Sequence, residues 1–105
     1  MMTIYQVEGE QTEIKKYLEE LATHTNENDH NMFFVKSSHL LITVDRLQQA
    51  HEASNNPKEI INIVDNVYIS LETINSEQLR KIMENEGDLN LVFEQIVSLV
   101  QPILD

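Results

Sequence analysis

The spacing of apolar residues changes period along the chain. Ile14, Tyr17, Leu18 and Leu21 fall at i, i+3, i+4 and i+7, which predicts an amphipathic helix from about Glu10 to His24. Ahead of it, Thr3 to Val7 alternates and is rich in β-formers, so a short strand is expected there, bounded by Glu8-Gly9-Glu10. Behind it, residues 25–31 are wholly polar and read as a loop. The compact run Met32-Phe33-Phe34-Val35 then predicts a second strand, parallel to the first and reached by a right-handed crossover.

Helical spacing returns after Ser37. Leu40, Val44, Leu47 and His51 form a stripe over Ser37 to Asn55, with Ser37 or Ser38 as the cap. The rival is a strand over 39–44 pairing back on 32–36. Asn56-Pro57-Lys58-Glu59 has the form of a helix start: Asn caps, Pro suits the first helical position, and Glu reaches back. Ile60, Val64, Val67, Leu71 and Ile74 then repeat at four and three residues, although eight of the fifteen residues from 60 to 74 are β-branched and also fit a hairpin. Asn75-Ser76-Glu77-Gln78 offers a second capping box before a short helix with Leu79, Ile82 and Met83 inward. Gly87 is expected to stop that helix in the left-handed conformation, and Asp88 to cap a last helix over about 88–101, ended by Pro102.

The pattern as a whole predicts an α+β domain that is predominantly helical. One or two short N-terminal strands flank the first helix, and the C-terminal half is helical. The runner-up is a larger antiparallel sheet with hairpins near 32–44 and 60–72. A length of 105 residues fits one domain over 1–105.

Charge narrows the partner class. Eighteen carboxylates face seven Lys and Arg, for a formal charge of −11. Nucleic acid and anionic membranes are therefore poor direct partners, since binding them requires cations that displace counterions. Basic proteins are favoured. Residues 1–35 hold seven acids and two Lys, and residues 75–105 hold six acids and two bases, so the ends of the chain are more acidic than its middle. The candidate acidic binding residues are Glu10, Glu13, Glu20 and Glu27 toward the N-terminus and Glu77, Glu84, Glu86 and Asp88 toward the C-terminus. Carboxylates spaced along a rigid helix can imitate a phosphate array, which brings nucleic-acid-binding proteins into the partner class. The second interaction reading uses the apolar C-terminal helix, through Phe93, Val97 and Val100, as a homodimer or adaptor surface.

Chemistry is thinly represented. There is no cysteine, so disulfides, thiolate metal sites and thiol nucleophiles are excluded. Glycine occurs only at 9 and 87, which excludes Gly-rich phosphate loops. His24 and His30 bracket Glu27 and Asp29, but the spacing matches no metal signature, and a solvated loop is the expected outcome. His39 beside Ser37 and Ser38 lacks a third, orienting group for nucleophilic catalysis. His51 beside Glu52 reads as a helix-surface pair. No catalytic residue, metal or cofactor is expected. The segment from Leu89 to Gln101 has no Lys or Arg, so the last two helices do not read as a DNA-binding pair. The N-terminal residues have neither a basic region nor a long apolar run, and no stretch suits a membrane span, so a cytoplasmic protein is expected. The sequence thus predicts a small acidic, non-enzymatic protein-binding module, an inhibitor or regulator by type.

Overall fold

The computed structural model describes residues 4–104, and it is all-helical. Helix α1 runs Ile4–Asn26, α2 His30–Ala53, α3 Lys58–Glu77, α4 Leu79–Met83 and α5 Leu89–Val100, followed by a 3-10 turn at Gln101–Ile103. Among the described residues there is no strand, so the expected α+β class is corrected to a helical bundle. Both N-terminal strands and both hairpins of the runner-up are helix instead.

The reason is the same at each place: a buried stripe at helical spacing extends further than the local run suggests. Val7, Ile14 and Leu21 are seven residues apart and all buried, so Ile4–Val7 continues α1 backward instead of forming a strand. Thr3, the first residue of that expected strand, lies outside the described residues. Phe33 is fully buried while Met32 and Val35 are exposed, and Phe33, Ser37, Leu40, Val44, Leu47 and His51 follow one another at four and three residues. That stripe makes 30–53 one helix and removes the rival strands over 32–35 and 39–44. In α3 the buried residues are Val64, Val67, Leu71 and Ile74. Burial of this face outweighs the weak preference of β-branched residues for strands.

Three of the joints use one device. After α1, Asn28 N–H bonds to Thr25 O at 3.1 Å and Asp29 N–H to His24 O at 2.9 Å. After α2, Asn55 and Asn56 bond back to Glu52 and His51, and after α4, Asn85 and Glu86 bond back to Ile82 and Lys81. These are Schellman closures, and in each the left-handed position is an asparagine: Asn28, Asn55 and Asn85 have φ of 55°, 56° and 61°. Gly87 was expected to hold that role but does not have a positive φ. Glycine is needed there for a different reason, since a Cβ would overlap Ile82 Cγ1. Asp29 and Asp88 then cap the following helices, accepting from Met32 N–H and from Asn90 N–H. Asp29 was not among the expected caps, and the other three expected ones fall differently. Ser37 and Ser38 lie inside α2 instead of heading it. Pro57, not Asn56, precedes α3, and Asn75 stays inside α3, accepting a 2.7 Å hydrogen bond from Ser37 Oγ.

The four long helices alternate in direction. α1 packs on α2, α2 on α3, and α5 returns against both α1 and α3, while α4 packs on α2 and α3. The Gln11 amide donates to Ile103 O at 3.1 Å, joining the start of the bundle to its end. The molecule measures 42 × 21 × 19 Å. Ile14, Leu21, Phe33, Leu40, Leu47, Leu71, Ile82 and Ile96 fill its axis and are almost wholly removed from solvent.

Candidate functional site

Of the N-terminal carboxylates, Glu10, Glu13 and Glu20 sit on α1, and two of them are answered by cations of α2. Because the helices are antiparallel, Glu20 meets Lys36 with 3.5 Å between Oε2 and Nζ, and the same Lys36 lies 6.0 Å from the Tyr17 ring centroid. Nearly three turns toward the N-terminus, Glu10 lies near Arg46. Partial burial pushes the Glu10 carboxyl above its ordinary range, Arg46 draws it back down, and Glu13 adds a smaller push upward. Glu13 itself is exposed. Glu27 lies just beyond α1, exposed, with Oε1 3.5 Å from His24 Nδ1.

The C-terminal carboxylates cluster around α4. Glu77 closes α3, Glu84 ends α4, Glu86 lies in the following loop, and Asp88 caps α5. Glu77, Glu84 and Glu86 are exposed and form no ion pair among the described residues. The alternation of the helices places the α1–α2 joint, the end of α3, α4 and the start of α5 at one pole of the bundle. Helix order therefore puts Glu27 at the same end of the bundle as Glu77, Glu84, Glu86 and Asp88, although 50 residues separate Glu27 from Glu77. Glu10 and Glu13 are not part of this group, being ~20 Å away along α1. Arg80 and Lys81, the basic residues of α4, share the pole.

The apolar candidates on α5 fare differently from one another. Val100 is fully buried, and Phe93 and Val97 are half-buried, Phe93 packing on the core. The exposed apolar residue of this helix is Leu91, at 54% exposure, and Ile69 of α3, at 51%, shares its groove. The groove between α3 and α5 has a volume of about 650 Å³, with Ile74 and Leu99 also in its walls and Glu94 as the single charged residue lining it among the described residues. It continues past Ser70 and Ser98 into a smaller stretch of about 280 Å³ beside Ile63, Asn66 and Pro102. Sequence reasoning missed Ile63, Ile69 and Leu91. Their signal was available only as apolar residues off the buried stripe of each helix.

The histidines divide among separate environments. His24 pairs with Glu27, His30 Nδ1 lies 3.2 Å from Asn28 O, and His39 stacks obliquely on Tyr17 with 5.7 Å between ring centroids. His51 is buried, where a helix-surface pair with Glu52 was expected, and its Nδ1 accepts a 2.8 Å hydrogen bond from the Asn56 amide. Among the described residues no group of three or more His, Asp or Glu is arranged to hold a metal ion, and no helix is long and apolar enough to cross a membrane. No protein-family model matches the chain, and neither the curated proteins nor the solved structures contain a significant match to it.

Proposed function

We propose that this protein is a non-enzymatic binding module that occupies a basic surface of a partner protein and thereby regulates it stoichiometrically. The observation that carries the reading is the acidic pole. Glu77, Glu84 and Glu86 stand exposed without ion-pair partners among the described residues, in a chain whose net charge is −11. Carboxylates presented at one end of a strongly acidic molecule attract a cationic partner and accelerate its approach. The α1 carboxylates contribute less to such a surface, because Lys36 and Arg46 already partly neutralise Glu20 and Glu10.

The test is capture from a cell lysate on the immobilised protein, at low salt and at about 0.5 M salt, where charge attraction is heavily screened. A basic protein retained in one-to-one ratio at low salt, lost at high salt and lost to a Glu77→Lys/Glu84→Lys/Glu86→Lys variant is the expected result. Release of that protein by added DNA identifies the occupied surface as one that holds nucleic acid. Retention that ignores both salt and the charge reversals refutes the reading.

A further inference from the structure

The face of α3 that borders the groove follows one stripe: Glu59, Ile63, Asn66, Ser70, Thr73 and Glu77, spaced by four and three residues. It is acidic at both ends and uncharged between. Across from it, α5 contributes Leu91 and Leu99, with Glu94 on the wall and Asp88 where the groove opens toward the acidic pole. Scattered exposed aliphatics are ordinary on a protein surface. Ile63, Ile69 and Leu91 are not scattered; they line one groove and its extension. A strip without charge is unusual in a segment where residues 58–104 carry eight carboxylates and three cations. Depletion of charge at the centre with polar residues at the rim is the composition of a protein-binding surface, because a central charge would have to be desolvated on contact.

We infer that the α3–α5 groove binds an amphipathic helix of the partner whose apolar stripe is flanked by Lys or Arg. This rests on the acidic-module reading and names the place where it acts. From Ile63 to Gln78 the groove runs ~22 Å at the rise of an α-helix, room for about four turns of a partner helix. Apolar side chains at i, i+3 or i+4, and i+7 of that helix enter between Ile69 and Leu91. Its flanking cations reach Glu77, Asp88 and Glu94 at one end and Glu59 at the other. Among the described residues Lys81 is the single cation lining the groove or its extensions, so it disfavours a basic residue beside it. A second copy of this chain is a poor occupant, since it would bring further carboxylates against Glu59, Glu77 and Glu94.

Two labelled peptides of roughly 18 residues test this, both built only from Leu and Lys: one with Leu at helical spacing, the other a scramble with no apolar stripe. Binding is followed by fluorescence anisotropy at about 0.15 M salt, and the site is mapped on the wild-type protein by amide chemical shifts. The amphipathic peptide is expected to bind in preference to the scramble, with shifts confined to α3 and α5. Ile69→Asp and Leu91→Asp, each a side chain more than half exposed, should each weaken it by about tenfold or more, with circular dichroism unchanged. Both substitutions make the protein more acidic, so attraction by charge alone predicts equal or tighter binding. Equal binding of the two peptides, shifts outside the groove, or undiminished affinity of both variants overturns the groove and leaves the acidic-module reading standing. Failure of both peptides to bind at any salt overturns the two together.

Discussion

His51 combines a titratable group with a buried position, and its neighbours explain how. The Asn56 amide donates to Nδ1, so that nitrogen must be an unprotonated acceptor. The small cavity beside the ring is lined by Gln11, Ile60, Ile63, Val64, Pro102 and Ile103, none of them charged. Burial therefore lowers the His51 pKa below the ordinary histidine value. The unfolded chain takes up this proton before the folded one does. The corresponding stability is complete above a pH of about 6.5 and is lost as pH falls from there through the folded-state pKa. Urea denaturation at about pH 7.5 and 5.5 should show the stability gap between wild type and His51→Gln shrinking toward the acid side. A constant gap would mean that the imidazole titrates in the fold as it does in the unfolded chain. The stripe Leu40, Val44, Leu47, His51 had already marked this position as inward, while the neighbouring Glu52 suggested a surface pair. Spacing was the better guide, because a single hydrogen-bond donor, Asn56, is enough to make a neutral imidazole tolerable inside.

Helix by helix, existence was legible and extent was not. The interiors of α1, α2, α3 and α5 follow stripes that are visible in the sequence, yet α1 begins six residues before the start expected at about Glu10. Gly9 and the alternation around it suggested a break, and only the seven-residue register that Val7 shares with Ile14 and Leu21 marks it as part of the buried face. Four-residue apolar runs such as Met32–Val35 do not separate strand from helix by themselves; their burial partners decide. The two glycines make a paired test at this scale. Gly9 lies in the interior of α1 with open space where a Cβ would stand, so Gly9→Ala should stabilise the protein by about 0.5–1 kcal/mol in denaturant titration. Gly87 lies against Ile82, and Gly87→Ala should destabilise it by about 1–3 kcal/mol as that buried side chain is displaced. Equal effects at the two positions would show that the approach between Gly87 and Ile82 places no constraint on the α4–α5 joint.

For the molecule as a whole, the sequence reports net charge but not where helix order will place it. Glu27 and Glu77 come to the same pole only because α1 and α3 run in the same direction with α2 between them. The groove was illegible for the same reason. Ile69 and Leu91 are unremarkable exposed residues on their own helices, and they acquire a shared wall only when α5 folds back beside α3. The bond from Gln11 to Ile103, which holds the returning chain against α1, has a consequence in time. Contacts of α1 with α2, α2 with α3 and α3 with α4 join segments adjacent in sequence and can form early, whereas the α1–α5 seam must close a loop of nearly the full chain. That seam belongs to the last stage of assembly and the first of disassembly. In stopped-flow chevrons, Gln11→Ala should leave the refolding arm almost unmoved and raise the unfolding rate, the signature of an interaction absent from the transition state. The lifetime of the folded molecule is then governed by this seam, and the speed of its formation by the first three helices.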